Sequence, residues 1–284
     1  MPLILGTNSI KDTTFNVANS LRLDSGDSAY MHKTNGTATD VQKFTVSLWI
    51  KKNLVAQAGN EELVVIGDAG TDFFNIRSRA DGKLQFQVIL GDVGVTDYKT
   101  NAIHRDVSAW YHYVVAVDTT ESSGDRIRIY VNGTEETSFA SSTEMDVNTN
   151  LTFLTDEKVA VGRTSHADSG YFNGYMSEVV FINGLQLTPT SFGEFDSDSG
   201  IWKPKNVSGL TFGNNGFYLD FEDSGNLGND ANGGTDLTEV NLAATDQSID
   251  TCTNNFATMN SIDNLAAGSA FSQGNLKIVT TSGI

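Results

Sequence analysis

Between Trp110 and Gly133 the chain reads WYHYVVAVDTTESSGDRIRIYVNG, and this stretch limits the fold more than any other. Trp110, His112, Val114 and Ala116 alternate with Tyr111, Tyr113, Val115 and Val117, a period of two that sends each set to its own face of a strand. Both faces are largely apolar. A strand with one face in water would carry polar residues at every second position, so this one is expected between two layers. In the next run Ile127, Ile129 and Val131 alternate with Arg126, Arg128 and Tyr130, which gives one buried and one wetter face. Asn132-Gly133 then reads as a tight hairpin turn, because both residues tolerate positive φ.

Similar runs recur along the chain. Ser20 to Thr34 reads as a strand, a turn and a second short strand, and Phe44, Val46, Leu48 and Ile50 share one face of the run that follows. Asp81-Gly82 joins two strands as a hairpin, and a loop rich in Asp, Gly and Thr is expected before Trp110. Asn183-Gly184 is expected to close a hairpin between Met176 to Ile182 and Leu185 to Leu187. Thr188-Pro189 is expected to start a short helix ending near Glu194. Phe217, Leu219 and Phe221 share one face of a later strand. Twenty-seven glycines against three prolines, with polar residues in nearly every gap, fit many short strands joined by turns. The chain divides into a polar N-terminal arm (1–19), an all-β sandwich (20–221) and a polar C-terminal extension (222–284). Leu276, Ile278 and Val279 in the extension suggest a last strand. Such polar segments bury too little apolar area to fold alone, so they wrap the sandwich or lie on a partner.

A net charge of −17, from eighteen basic and thirty-five acidic residues, leaves no clustered Lys and Arg for phosphate, so neither nucleic acid nor an anionic membrane is an expected partner. No apolar run approaches the length of a membrane span. MPLILGTNSI lacks the basic region of a secretory signal, and Cys252 is the only cysteine. The expectation is a protein that folds in a cytoplasm without disulfides.

The ordered series WYHYVVAVD, RIRIYVNG, VAVG and GYMSEVVFINGLQLT resembles the laminin-G-like branch of the concanavalin A-like jelly rolls over about residues 20 to 195. In that family the segment matching Ser177-Glu178-Val179 is usually Asp-Glu-Val, and the serine departs from it. GYMSEVVFING, SFGEFDSDSGIWKPK, GNNGFYLDFED and TNNFATMN together resemble laminin-G-like virion proteins of tailed bacteriophages, marine ones especially. This resemblance implies a non-enzymatic structural protein on the virion surface, as a capsid decoration, fibre or tail component. Its partners would be other capsid or tail proteins and further copies of itself, and it could also contact host-surface glycans. The alternative is a glycan-binding adhesin or receptor-binding lectin module.

Glycoside hydrolases on this jelly roll carry their carboxylates as Glu-x-Asp-x-x-Glu on one strand. The nearest run here, Glu194, Asp196 and Asp198, lacks the last glutamate and reads as a solvated acidic loop. The four histidines, His32, His104, His112 and His166, have no zinc-binding spacing, and His112 reads as a satisfied core residue. No cofactor is expected apart from calcium, for which the loops Asp68 to Asp72 and Asp223 to Asp230 offer oxygen donors without a fixed ligand spacing. Carbohydrate binding needs aromatic faces beside hydrogen-bonding groups. Tyr98, Tyr171 and Trp202, in polar segments expected to be exposed, are the candidates, and each could instead anchor its own loop. Trp49 and Trp110 are expected in the core.

Overall fold

The computed structural model describes residues 15–55, 59–68, 71–256, 259, 270–272 and 277–279. In chain order the strands are β1 (Ser20–Leu23), β2 (Tyr30–Thr34), β3 (Lys43–Lys52), β4 (Glu61–Asp68), β5 (Asp72–Ser78), β6 (Lys83–Leu90) and β7 (Val93–Ile103). Next come β8 (Tyr111–Asp118), β9 (Ile127–Val131), β10 (Thr134–Glu135), β11 (Phe139–Thr143), β12 (Lys158–Val161) and β13 (Gly174–Asn183). The remainder are β14 (Gly193–Phe195), β15 (Trp202–Pro204), β16 (Phe217–Leu219), β17 (Thr238–Val240), β18 (Gln247–Ser248), β19 (Ala270–Ser272) and β20 (Lys277–Val279). Sheet one runs β10-β9-β8-β3-β13-β1-β18, with β16 also on β13. Sheet two runs β11-β7-β6-β5-β4-β12-β2-β17.

The two sheets face each other across one core, as the alternation requires. Phe44, Val46, Leu48 and Ile50 of β3 lie opposite Val117, Val115, Tyr113 and Tyr111 of β8 and fill the space between the sheets with Phe74, Phe86, Phe181 and Phe217. The other face of sheet one is buried too. Val114, Val180 and Ile182 meet Phe192, Val207 and Phe212, while Trp49, Trp110 and Tyr175 meet Trp202. The second layer expected over the Trp110 stretch is therefore irregular chain from the last third of the sequence.

That covering chain also closes the sheet edges. β17 pairs with β2 at the edge of sheet two, and β18 pairs with β1 at the edge of sheet one. Residues 222–256 therefore lie on this molecule's own sandwich. The expected last strand appears as β20, paired with β19, although Leu276 lies outside the described residues. Residues 1–14 of the N-terminal arm also lie outside them. The end of the arm packs on the C-terminal segment, where the Val17 amide donates to Thr253 Oγ1 at 3.0 Å and Thr251 Oγ1 donates to Val17 O at 3.0 Å.

The Asn-Gly reading holds at Asn132-Gly133, where φ of 49° and 77° form the turn between β9 and β10. At Asn183-Gly184 it does not. No strand follows, because Leu185 and Leu187 spend their backbone groups on the Thr45 hydroxyl, and the chain crosses the outside of sheet one. The helix expected after Thr188 is a single 3-10 turn, Pro189–Ser191, followed directly by β14. The Thr188 hydroxyl bonds Thr190 Oγ1 at 2.9 Å and caps no backbone amide. The loop expected before Trp110 is largely the eleven-residue β7. Its inward threonines Thr96 and Thr100 are buried, which disguised a strand as polar loop.

Candidate functional site

On the outer face of sheet two, the β2 end carries an aromatic and cationic group of side chains. Alternation sends Met31 of β2 and Val159 and Val161 of β12 into the core. Tyr30, His32, Lys158 and Ala160 face the other way and line a cleft of about 180 Å³, to which Arg163 and Ser165 also contribute. Gly162, at φ 90°, turns the chain out of β12 immediately before Arg163.

The Arg163 guanidinium lies 3.9 Å from the Tyr30 ring centroid and 5.9 Å from that of Tyr171, within the range of cation–π attraction. One guanidinium nitrogen donates to Asp168 Oδ1 at 3.0 Å and to Tyr171 Oη at 3.2 Å. Tyr171 Oη in turn donates to Asp168. His32 stacks on Tyr30 at 5.6 Å, and Tyr171 meets Tyr30 edge-on at 6.2 Å. Burial first, then the charges of Arg163 and Lys158, push the His32 pKa below its ordinary value. The cleft therefore offers two fixed cations and a neutral imidazole around an aromatic ring, on a chain of net charge −17. Asp168 contacts it through Arg163 and Tyr171.

From this corner a polar ladder crosses the same face. Arg77 donates to Gln85 Oε1 at 2.9 Å and to Gln87 Oε1 at 3.2 Å, and lies 3.5 Å from Glu62. Gln85 donates to Asp97, which accepts from Ser141 Oγ at 2.7 Å. Burial raises the Glu62 pKa to about 7 against the opposing pull of Arg77.

The three aromatic candidates occupy three different places. Tyr171 belongs to the cleft group. Tyr98 lies between the sheets and meets Phe139 edge-on at 5.0 Å, so the expected exposed ring is a core residue. Trp202 is also buried, on the far side of sheet one, where its Nε1 donates to His112 Nδ1 at 2.9 Å. It anchors its loop and presents no open face. Trp49 and Trp110 pack in that same cluster, as expected. Tyr30, His32, Lys158 and Arg163 were not singled out from the sequence, although the alternation of Tyr30-Met31-His32 puts the two aromatics on one face.

The acidic run after β14 is tied down as a turn. Asp196 Oδ1 accepts from the Ser199 amide and hydroxyl, both at 2.9 Å, and Lys203 lies 3.2 Å from its other oxygen. The hydrogen bonds from Ser199 hold its pKa down to about 2, so it has no proton to give as a general acid. Of the loops expected to offer calcium donors, residues 69–70 and the Asp68 side chain lie outside the described residues, and the carboxylates of Asp72, Asp223 and Asp230 cap backbone. Asp72 accepts from the Gly91 amide at 2.7 Å, Asp223 from the Gly225 amide at 2.9 Å and Asp230 from the Tyr218 amide at 2.9 Å. Among the described residues no three His, Cys, Asp or Glu side chains gather as metal ligands. No helix among them is long and apolar enough to cross a membrane.

Residues 24–190, more than half of the chain, match the family model of the concanavalin A-like lectin/glucanase superfamily, the laminin-G type. The chain belongs to this superfamily. Its sheet order and shared core are those of an antiparallel β-sandwich. No curated protein matches the sequence. Among solved structures, the chain is similar to a candidate carbohydrate-binding protein of Bacteroides ovatus, at 16% identity and a TM-score of 0.49 over 79% of this chain and 58% of that one. It is also similar to domains LG4-5 of the mouse laminin α1 chain, at 17% identity and a TM-score of 0.43 over 67% of this chain and 48% of that one. A heptameric pentraxin of Limulus polyphemus aligns at 13% identity and a TM-score of 0.44, over 62% of this chain and 80% of its own.

Proposed function

We propose that this member of the superfamily is a non-enzymatic surface protein of a tailed-bacteriophage particle that contacts acidic sugars through the Tyr30 cleft on the outer face of sheet two. The observation that carries the sugar contact is the stack of Arg163 on Tyr30, with Lys158, His32 and Tyr171 around it. The guanidinium covers one face of Tyr30 and holds Asp168 through one terminal nitrogen, but a guanidinium has further N–H donors for a carboxylate and Lys158 adds a second cation, so the group suits a carboxylated sugar. The virion assignment is supported by the likeness of GYMSEVVFING, SFGEFDSDSGIWKPK and TNNFATMN to phage virion proteins. The non-enzymatic assignment is supported by the state of the Glu194 to Asp198 run, where the ion pairs with Lys203 and the Ser199 hydrogen bonds occupy the carboxylates.

Two experiments test the two parts. Mass spectrometry of purified virions is expected to find the protein at stoichiometric copy number, and its absence removes the particle assignment. On a glycan array, signal is expected on glycans ending in N-acetylneuraminic or glucuronic acid and to disappear in Arg163→Gln. Equal signal on their neutral counterparts removes the acidic-sugar reading.

A further inference from the structure

On the outer face of sheet one, the C-terminal segment brings an asparagine amide against a buried lysine. Leu48 and Ile50 of β3 face the core, so Trp49 and Lys51 point the other way, toward the cluster of Trp110, Tyr175 and Trp202. The Lys51 ammonium donates to Asp250 Oδ2 and to Asn255 Oδ1, each at 2.8 Å. Lys51 is 1% exposed and Asp250 3%. Asn255 lies in the TNNFATMN run, which neither the sandwich nor the Tyr30 cleft uses.

Both partners of the lysine are held in place. Asp250 Oδ1 accepts from Trp110 Nε1 and from the Phe256 amide, each at 3.2 Å, which leaves Oδ2 for the ammonium. Asn255 Nδ2 donates to Ser108 O at 2.8 Å, in the loop before β8. That bond decides which end of the amide meets Lys51: the nitrogen is turned away and the carbonyl is turned in. A C=O bond is about 1.2 Å long, so Asn255 Cγ stands within about 4 Å of Nζ. An amine, an amide carbon and a carboxylate that can carry protons between them are thus gathered in a site walled by aromatic rings. Reactants held this close and oriented need no further encounter to react.

We propose that Lys51 and Asn255 join in an intramolecular isopeptide bond, with Asp250 as the proton relay. Lys51 Nζ first passes a proton to Asp250 Oδ2 along their hydrogen bond, which abolishes two buried charges. The freed lone pair attacks Asn255 Cγ, and the carbonyl electron pair moves onto Oδ1. As that pair returns, the Cγ–Nδ2 bond breaks, and Nδ2 takes the Asp250 proton and leaves as ammonia. The attacking nitrogen gives its surplus proton to Asp250, which passes it to the ammonia. One ammonium and one amide become one amide and one ammonium, so the step needs no oxidant and no cofactor. Asn255 is exposed, which gives the ammonia a way out. The bond ties β3, inside sheet one, to the segment that also holds Val17 of the N-terminal arm through Thr251 and Thr253. It is a covalent lock in a chain whose one cysteine allows no internal disulfide.

The test is intact mass spectrometry and peptide mapping of the purified full chain. The wild type is expected to be lighter than its sequence by about 17 Da, one ammonia, and to yield a peptide in which Lys51 is joined to Asn255. A succinimide at an Asn-Gly step loses the same mass, so the joined peptide decides. Asn255→Ala, at an exposed position, is expected to keep the tryptophan fluorescence of the folded wild type and to show its full sequence mass. Asp250→Asn is expected to show its full mass as well, with Lys51 left as an ammonium. Full mass and separate Lys51 and Asn255 peptides in the wild type overturn the proposal, as does a deficit that persists in Asn255→Ala. Complete bond formation in Asp250→Asn overturns the relay.

Discussion

Trp202 Nε1 donates to His112 Nδ1 at 2.9 Å, and this one hydrogen bond fixes the protonation of a fully buried imidazole. Indole is a donor only, so Nδ1 must be the bare nitrogen and Nε2 carries the proton, which it donates to Ser47 Oγ at 2.8 Å. Burial lowers the His112 pKa to about 3, so the ring stays neutral throughout the physiological range. Trp202→Phe removes the donor and also the pyrrole ring of a buried side chain, so its cost includes a small cavity. Urea unfolding is expected to show a loss of at least about 1–3 kcal/mol, the cost of an unpaired buried acceptor, with the cavity adding to it. Ser47, His112 and Trp202 therefore join β3, β8 and the covering chain through one imidazole.

The same indole closes over the β9–β10 turn. A Cβ built on Gly133 would lie 2.3 Å from Trp202 Cε3, at a φ of 77°. Gly124, at φ 92°, has nothing within 4 Å. Gly124→Ala is expected to cost only the backbone strain, about 1–2 kcal/mol. Gly133→Ala is expected to cost clearly more and to disturb Trp202 fluorescence, which Gly124→Ala leaves alone.

Lys51 is 1% exposed, and its ammonium meets Asp250 Oδ2, Asn255 Oδ1 and Phe256 O, each at 2.8 Å. All three acceptors come from the C-terminal segment, and Asp250 also accepts from Trp110 Nε1 at 3.2 Å. Asp250→Asn leaves a buried charge without its counter-ion. Equilibrium unfolding is expected to show a loss of about 3–5 kcal/mol. Adding Lys51→Met to Asp250→Asn, which removes the uncompensated charge and keeps an acceptor for Trp110 Nε1, is expected to recover part of it.

Glu178 occupies a bulge of β13 at φ 50°, buried, and accepts from Tyr218 Oη at 2.7 Å. Burial raises its pKa from 4.5 to about 8, and Glu61 is raised to about 8 by the same cause. A carboxyl whose pKa is raised by folding contributes stability that is full below the unfolded value and lost as pH rises through the folded one. Thermal melts are therefore expected to show lower stability at pH 8 than at pH 5. Glu178→Gln is expected to remove part of that slope, on the order of a few kcal/mol between the two pH values.

The sandwich was legible because alternation is local. Phe44 to Ile50, Tyr111 to Val117 and Ile127 to Val131 announce their faces within a few residues of sequence. The wrap was not legible, because Thr238–Val240 and Gln247–Ser248 complete sheet edges through backbone hydrogen bonds that any small polar residues could make. Tyr98 was misplaced for a related reason: its inward neighbours are threonines, so a core strand carried a polar composition. The cleft was half legible. Tyr30 and His32 alternate visibly, but Arg163 reaches them only because β12 pairs beside β2.

His32 links the cleft to pH. Its pKa is lowered by burial and by the neighbouring cations, so it is neutral at pH 7 and gains a proton only in acid. An acidic sugar bound beside it stabilises that proton, so affinity is expected to rise as pH falls from 7 toward 5, while the sugar carboxylate stays ionised. His32→Asn is expected to flatten that dependence in a calorimetric titration.

The central claim is that the Tyr30 and Arg163 cleft receives a carboxylated sugar. The most direct measurement is a titration of isotope-labelled protein with N-acetylneuraminic acid, followed by NMR at the Arg163 side chain and the Tyr30 and His32 amides. Saturable shifts confined to this corner of sheet two, absent in Arg163→Gln, are the predicted result. No shifts at these positions, or the same shifts with a neutral sugar, would contradict it.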